Sequence, residues 1–382
     1  MNFDFSDEQK LLKQYARKFL KERCGTDVVR RVLDGEQSYD RDLWRGIVEL
    51  EWPGTAIAEE FGGIGYGYLE LCVLAEELGR ALAPVPFSSS VYLASEAIQL
   101  AGTEEQRRNY LPRLAAGEII GTFALAEGPQ PPTEGNINTS LRDGKLYGTK
   151  LPVADGDIAD VAVVVATSTE ASPGVSLCLV DLADDGVRRE RIETIDPSRS
   201  HARLSFDGAG AQPLGTPDEG WSLVQRLTER AAVLLAFEQL GGADAALEMA
   251  TEYAKSRYAF ARPIGSFQAI KHKLADAFIA NELARSNCYY AAWALSSDAA
   301  DLPIAAASAR IAATQAFEYI AAENIQTHGG IGFTWESDCQ LFYRRAKLLA
   351  LSLGSVRRWK NHLIDQLENS VTAELEAVGA KR

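Results

Sequence analysis

Cysteine is scarce in this sequence and shows no pairing pattern. The chain of 382 residues has five cysteines, which are scattered and include no C-x-x-C pair. This distribution argues against both a disulfide framework and a zinc site. Long apolar runs are missing too, since none approaches the roughly 18 residues that a membrane-spanning helix needs. The sequence therefore predicts a globular protein without structural disulfides, bound metal or membrane spans.

Basic residues are also fewer than acidic ones. Lys and Arg number 39 against 53 Asp and Glu, which gives a formal net charge of -14. Such a surface repels nucleic acid and anionic membranes, so a polyanionic ligand has to be met by a local cluster of Arg and Lys. Residues 1–5 are acidic and lead into an amphipathic helix rather than a signal peptide, and we expect a cytoplasmic protein.

Residues 1–118 have the apolar spacing of helices. Ser6, followed three positions later by Gln9, predicts the N-terminus of a helix over residues 6–24. Further helical patterns cover residues 69–82, 91–101 and 104–115. The glycine-rich segment 61–68 is interpreted as a turn between packed helices. We therefore predict an all-helical N-terminal domain.

The pattern changes to short β-rich segments near residue 121. These segments are residues 122–125, 146–148, 161–167, 176–181, 187–192 and 202–206. Clusters of Pro, Gly and Asp separate them at intervals that suit a strand followed by a turn. They predict a small antiparallel barrel or sandwich over residues 119–218.

Helical periodicity returns in residues 219–382. Alanine-rich helices are predicted at residues 219–255, 266–297, 301–326 and 336–367. Four long helices of this kind form a bundle. The predicted fold class is therefore a multidomain protein with an N-terminal helical domain, a middle antiparallel β-barrel or sandwich, and a C-terminal four-helix bundle.

A corner within this last region carries features of a ligand site. Residues 256–268 interrupt two helical patterns with a proline and a glycine, and Arg257 and Arg262 bracket Phe260. Guanidinium groups offer paired donors to a phosphate, and an aromatic ring suits a flat ligand. The alternative interpretation is a helix corner with solvated arginines.

A second stretch, residues 326–333, reads Gln-Thr-His-Gly-Gly-Ile-Gly-Phe. Its three glycines let the backbone approach a ligand without obstruction by a Cβ. Together, the two stretches resemble the acyl-CoA dehydrogenase family, in which an R-x-x-F-x-x-P-I-x-x-F-Q-like corner and a Q-x-x-G-G-x-G-F-like loop clasp the FAD of a neighbouring subunit. The resemblance extends through essentially the whole chain, including the Phe-Ser-Asp-Glu-Gln opening at residues 5–9.

The resemblance implies FAD-dependent α,β-dehydrogenation of an acyl-CoA thioester. In that reaction a carboxylate removes the α proton while the β hydrogen leaves as hydride to the flavin. It also implies a tetramer, through self-association or with a paralogous subunit, and re-oxidation by an electron-transferring flavoprotein. The cofactor contacts that it implies fall on Arg257, Phe260, Gln268, Gln326, Gly329, Gly330, Ser355 and Arg357.

The catalytic base is missing from its usual place. In the family this base commonly lies in a Tyr-Glu-Gly-Thr-like turn after an R-x-A-K-like helix. Residues 344–347 keep the helix motif, but the turn reads Ser-Leu-Gly-Ser and places Leu353 at the glutamate position. Leucine can neither accept nor donate a proton.

Two other carboxylates are candidates for the base. Some family members carry it just before an arginine early in the first bundle helix, and Glu229-Arg230 has that form. A count without gaps from Arg257 puts the expected pair on Ala231-Ala232 instead, and two residues turn a helix by about 200°. Glu238, which lies among apolar residues, is the other candidate.

The β region departs from the family as well. Family members usually show Thr-Glu-Pro and Trp-Ile-Thr segments against the flavin, where this chain has Ala126-Glu127-Gly128 and Pro152-Val153-Ala154. The half-site that reaches a neighbouring flavin is thus retained, while the half-site for the chain's own flavin is eroded. These features leave three hypotheses: a base-lacking partner subunit of a two-gene α2β2 enzyme, a self-sufficient homo-oligomer that uses Glu229 or Glu238, and a structural subunit without flavin.

Overall fold

The computed structural model describes residues 5–168, 174–216 and 219–379, and the side chains up to residue 370. The predicted boundary at residue 218 lies outside these ranges. In the part of the chain that they cover, no helix is both long enough and apolar enough to cross a bilayer.

Contacts between Cα atoms group the chain into two compact units. The first, hereafter the bundle unit, comprises Met1–Lys21, Cys72–Ala83 and Ala232–Arg382. The second, hereafter the barrel unit, comprises Glu22–Leu71 and Pro84–Ala231. The division into segments 1–118, 119–218 and 219–382 stays a prediction.

Eleven α-helices lie in the described ranges. They are α1 Asp7–Arg23, α2 Thr26–Leu33, α3 Arg41–Glu49, α4 Tyr68–Arg80, α5 Glu96–Ala101, α6 Glu104–Ala115, α7 Gly220–Ser256, α8 Gln268–Ser296, α9 Leu302–His328, α10 Cys339–Leu351 and α11 Val356–Gly379. The predicted N-terminal signal of α1 is confirmed, because the Gln9 amide donates to Ser6 Oγ at 3.2 Å and the Ser6 amide donates to Gln9 Oε1 at 2.9 Å.

The prediction of one continuous helix over residues 336–367 is wrong. This segment is divided into α10 and α11 by a turn in which Leu353 and Gly354 have φ angles of 58° and 102°. Both angles lie in the left-handed region, which a right-handed helix cannot include. The turn therefore presents residues 352–355 as a loop between two helices.

Helices α4 and α7 meet backbone to backbone in the bundle unit. A Cβ on Gly79 would lie 1.9 Å from the carbonyl oxygen of Glu238, and a Cβ on Gly241 would lie 1.8 Å from that of Glu76. Real side chains never come so close, so only glycine fits at either position.

Two adjacent buried carboxylates of α4 are paired with cations from other helices of the bundle unit. Glu76 accepts from Lys13 Nζ at 2.6 Å and from Arg285 Nη1 at 2.8 Å, while Glu77 accepts from Arg17 Nη2 at 2.7 Å. Burial alone raises the pKa of Glu76, but Lys13 and Arg285 together bring that pKa below its ordinary value. These pairs fix α1 and α8 against α4.

The barrel unit contains a seven-stranded sheet within the described residues. Its strands are β1 Gly121–Ala124, β2 Ser140–Arg142, β3 Lys145–Ala154, β4 Val161–Ser168, β5 Gly174–Asp181, β6 Val187–Arg191 and β7 His201–Leu214. Strands β4, β2, β3, β7 and β5 pair in that order, and β5 pairs with β4 again, so the five strands close a ring. The core inside includes Val164, Cys178 and Leu204, none of which is exposed.

The barrel differs from the prediction in two respects. Strands β1 and β2 both run parallel to β4, whereas the sequence predicted an antiparallel barrel or sandwich. Strand β2 has only three residues and was not predicted. Helical regions before and after a β region are confirmed.

Candidate flavin and proton-abstraction site

Arg257 lies directly after α7, at the base of a short hairpin. Strands β8 Tyr258–Ala259 and β9 Arg262–Pro263 pair antiparallel, and the two residues between them, Phe260 and Ala261, have φ angles of 53° and 64°. Two successive left-handed residues form the tight turn that suits such a hairpin. Phe260 is 91% exposed at its tip, and the Arg257 side chain is also exposed.

The glycine loop begins at the C-terminus of α9. Gly329 has a φ of 64°, which favours glycine. A Cβ on Gly329 or on Gly330 would meet nothing within 4 Å, so the backbone of both residues faces open space. Gln326, one turn earlier, is exposed on the helix. The backbone of the two glycines is therefore unobstructed, and its contact with a cofactor stays a prediction.

Two contacts place the corner and the glycine loop at the same end of the bundle unit. The ring of Tyr253, four residues before Arg257, stacks on His328 with ring centroids 4.0 Å apart. Lys273, five residues after Gln268, pairs with Glu323 at 3.0 Å. The C-terminus of α7, the N-terminus of α8 and the C-terminus of α9 are therefore neighbours.

This end, hereafter the Arg257 end, gathers six of the predicted cofactor residues. They are Arg257, Phe260, Gln268, Gln326, Gly329 and Gly330. It supplies a guanidinium, the positive end of the dipole of α8, an exposed aromatic ring and backbone free of Cβ atoms. These groups fit a dinucleotide such as FAD, which has a phosphate centre and flat ends.

Ser355 and Arg357 lie elsewhere in the bundle unit. Arg310 donates to the Ser352 carbonyl at 2.7 Å, so the turn that precedes Ser355 lies beside residue 310 of α9. That position is 18 residues before His328, or about 27 Å along the helix axis. Both side chains are exposed. The structure therefore separates these two predicted cofactor residues from the Arg257 end.

Leu353, at the usual base position, packs in an apolar cluster. This cluster consists of Ala232, Ala307 and Trp359, with Ile311, Leu353 and Leu363 against them. Ala232 belongs to the pair on which the second family base motif falls. The usual base position thus meets the arginine position of the second base motif, and neither Leu353 nor Ala232 carries a group that takes up a proton. The sequence does not indicate that Leu353 and Ala232 are close together, because their proximity depends on how α7 and the 352–355 turn pack on α9.

Glu238 is buried in the bundle unit beside a cation. Its side chain is 1% exposed, and its Oε1 lies 3.8 Å from Nη1 of Arg345. Arg345, which belongs to the R-x-A-K helix, also donates to the Leu82 carbonyl at 3.2 Å. A carboxylate in this position neutralises a buried arginine, which favours a structural role over proton abstraction.

Glu229 lies in the barrel unit and is 8% exposed. Its neighbour Arg230 donates to Glu96 at 2.5 Å and lies over the ring of Tyr68, with 4.7 Å from the guanidinium carbon to the ring centroid. Burial, reinforced by the Glu96 carboxylate, raises the pKa of Tyr68. The arginine of the Glu-Arg dipeptide is thus held by a buried ion pair, and the assignment of Glu229 as base stays a prediction.

Glu127 holds the segment that replaces the family's Thr-Glu-Pro. Its carboxylate accepts from Lys150 Nζ at 2.8 Å and from the amides of Thr139 and Asn138 at 2.9 and 2.8 Å. Lys150 is fully buried, and its desolvation lowers its pKa. Burial raises the pKa of Glu127, but Lys150 and the amides outweigh it and bring that pKa to about 2. The backbone here keeps a fixed position although the threonine and proline are absent.

Glu127→Gln should destabilise the protein by about 3 kcal/mol at pH 7, because it leaves Lys150 charged and without an anionic partner. The folded pKa of Glu127 is depressed, so its stabilising contribution is full above its unfolded pKa near 4.5 and is lost as the pH falls towards 2. Urea unfolding at pH 7 and pH 3 measures both effects. We expect a smaller difference between the two pH values in the variant than in the unaltered chain.

The control for this measurement is Glu134→Gln, in an exposed turn of the same region. It should leave the unfolding midpoint unchanged at both pH values. Equal midpoints for Glu127→Gln and Glu134→Gln would contradict the importance of the buried pair.

An end with an exposed arginine, a helix N-terminus and an exposed aromatic ring, on a fold of helices, barrel and bundle, is typical of the flavin-dependent dehydrogenases that act on acyl thioesters. Two family descriptions make this assignment specific. The acyl-CoA dehydrogenase N-terminal domain matches residues 6–118, and the acyl-CoA dehydrogenase C-terminal domain matches residues 218–364. The chain belongs to the acyl-CoA dehydrogenase family, an oxidoreductase family whose members are FAD flavoproteins acting on acyl-CoA.

Several relatives match along nearly the whole chain. The acyl-CoA dehydrogenase IpdE2 of Mycobacterium tuberculosis is 34% identical over 368 residues, which cover 96% of this chain and 98% of the relative. The ChsE4-ChsE5 complex of the same organism contains a chain that is 28% identical, with a TM-score of 0.88 and coverage of 96% and 99%. A variant of the Tcur3481-Tcur3483 steroid ACAD is 30% identical, with a TM-score of 0.86 and the same coverage.

Proposed function

We propose that this chain is the base-lacking partner subunit of a heteromeric acyl-CoA dehydrogenase, which carries out FAD-dependent α,β-dehydrogenation of an acyl-CoA thioester. The observation that carries this proposal is the apolar cluster around Leu353 and Ala232. The resemblance places family bases at Leu353 and at Ala231, the residue before Ala232, and neither side chain takes up a proton. The α proton therefore goes to a carboxylate of another chain.

The residues of this chain act by binding and orientation. Arg257 and the N-terminus of α8 hold the anionic centre of a flavin whose other contacts come from the partner subunit. Phe260 covers a flat surface, and the bare backbone of Gly329 and Gly330 permits close approach. When bound, FAD supplies the acceptor for the β hydrogen.

Two similar solved structures support a heteromeric assembly, since each is named as a pair: ChsE4-ChsE5 and Tcur3481-Tcur3483. The word steroid in the second name is a reason to test steroid side-chain thioesters together with fatty acyl-CoA. A tetramer of two chain types, re-oxidised by an electron-transferring flavoprotein, completes the proposal.

The assembled complex should hold about one FAD per two chains, because each pair of chains has one complete site. The chain is purified alone and after co-expression with a paralogous dehydrogenase chain. Flavin absorbance is then compared with protein mass on the size-exclusion peak, with the oligomeric state from light scattering. Flavin absorbance that is present only in the co-expressed preparation supports the proposal.

Two other outcomes contradict it. A homotetramer with close to one FAD per chain makes this protein self-sufficient, and Glu229→Gln and Glu238→Gln are then the first variants to assay. Absence of flavin from both preparations makes it a structural subunit.

A further inference from the structure

Arg310 is an arginine of α9 whose side chain is 1% exposed. Its Nη1 donates to Gln239 Oε1 and, at 2.9 Å, to Thr314 Oγ1. Its Nη2 donates to the Leu349 carbonyl and, at 2.7 Å, to the Ser352 carbonyl. One guanidinium thus joins α7, α9 and the end of α10 within the bundle unit.

Both carbonyls that Nη2 contacts lie at the C-terminus of α10: Leu349 is in its last turn, and Ser352 directly follows its last residue. The final carbonyls of a helix have no partner within the helix, and burying them without a donor is costly. Arg310 satisfies two of them with charge-assisted bonds. Burial lowers the pKa of Arg310 to about 10, which leaves the guanidinium protonated at neutral pH.

The contacts of Arg310 with these carbonyls also restrain the adjoining turn. The next residue, Leu353, has a φ of 58°, which is unfavourable for leucine and persists only where the surroundings enforce it. The Gly354 amide donates to the Leu351 carbonyl at 3.1 Å, and the Trp359 amide donates to the Ser355 carbonyl at 3.1 Å. The turn and the first residues of α11 therefore form a continuous hydrogen-bonded segment that begins at the Arg310 contacts.

We propose that Arg310 is a positioning residue for the 352–355 turn: it holds Leu353 against the apolar cluster, and it does so without affecting the flavin held at the Arg257 end. The residue acts through this turn and touches no reactant. The part of the proposal that concerns flavin rests on the proposed function. The part that concerns the turn does not.

The first test is hydrogen exchange of the full chain without flavin, measured by mass spectrometry. Arg310→Met should raise the exchange rates of amides in residues 350–360 at least about tenfold, because the turn loses its attachment to α9. Arg310→Lys keeps the charge but not the paired donors, and should raise these rates less. It also serves as the test if Arg310→Met does not fold.

The matched control is Arg345→Met, another buried arginine of the bundle unit. Arg345 contacts Glu238 and the Leu82 carbonyl. Its loss should therefore speed exchange around those contacts and not selectively in residues 350–360. Unchanged exchange in that segment for folded Arg310 variants, or an equal increase in Arg345→Met, overturns the proposal.

The second readout is flavin affinity of the assembled complex. Arg310→Lys should leave the dissociation constant for flavin within about twofold, because the turn lies about 27 Å along α9 from the Arg257 end. Altered exchange with a tenfold loss of flavin affinity overturns the flavin part alone, because Arg310 would then act on the Arg257 end as well. If no preparation binds flavin, the proposed function fails while the exchange result still decides the role of Arg310 in the turn.

Discussion

Replacing Gly241 by alanine should destabilise the bundle unit by about 3 kcal/mol or more. The new methyl carbon would lie 1.8 Å from the Glu76 carbonyl oxygen and 2.9 Å from the Arg80 amide, and both atoms are backbone. No rotamer change relieves such a clash, so α4 has to move away from α7. That movement also disturbs the pairs of Glu76 with Lys13 and Arg285. The midpoint of urea unfolding, monitored by circular dichroism, measures the effect.

Gly135→Ala is the control for this experiment. Gly135 is exposed, has no left-handed φ, and a Cβ there would meet nothing within 4 Å. Its replacement should change stability by less than about 0.5 kcal/mol. A Gly241→Ala midpoint equal to that of the control would show that α4 and α7 separate at little cost.

The second large effect is expected from Arg257→Ala, which should weaken flavin retention in the assembled complex about ten- to hundredfold. A charge-assisted contact to phosphate in a desolvated interface contributes about 1.5–3 kcal/mol, and each 1.4 kcal/mol corresponds to about a tenfold change in affinity. Protein stability should hardly change, because the Arg257 side chain is exposed within the chain. Titration of the apo complex with FAD, monitored by flavin fluorescence, gives the dissociation constant.

Lys255→Ala provides a matched loss of charge two residues away. Lys255 is exposed and pairs with Glu252 at 2.7 Å on the last turns of α7. Its loss removes one positive charge near the Arg257 end without removing a proposed phosphate contact. If both variants weaken binding equally, Arg257 acts only through general charge, and the proposed contact is refuted.

Local signals made much of the fold predictable. Ser6 and Gln9 identified the start of α1 because the capping interaction lies within four residues of sequence. The predicted helix over residues 104–115 coincides with α6, which also has a complete capping box, formed by Thr103 and Gln106. Strand β4 was predictable from the continuous apolar run of residues 161–166, all of which are buried.

Features that depend on distant contacts were not predictable. The break between α10 and α11 lies within a pattern of helical periodicity, and it depends on a left-handed leucine that is held in place from α9. The parallel pairing of β1 with β4 joins segments 40 residues apart, and periodicity contains no information on partner or direction. The contacts of Arg310 with α7 and with the end of α10 were not predictable either, because the sequence around it is that of an ordinary alanine-rich helix.

The candidate site was predictable in its parts but not in its arrangement. Resemblance to a family identified Arg257, Gly329 and Leu353 one by one. It could not indicate that Leu353 and Ala232 share a cluster, or that Ser355 lies far along α9 from Gly329, because both facts depend on packing.

The distance of about 27 Å along α9 between the Arg257 end and the 352–355 turn has a consequence for the assembled complex. Because the two ends are this far apart, we expect a substitution beside the turn to leave the Arg257 end intact. Under the proposed function, a chain without a proton acceptor near residue 353 still contributes its Arg257 end to the cofactor site of a neighbour. Under the proposed function, the length of α9 allows two related chains to share one catalytic site, with the base on one chain and cofactor contacts on the other.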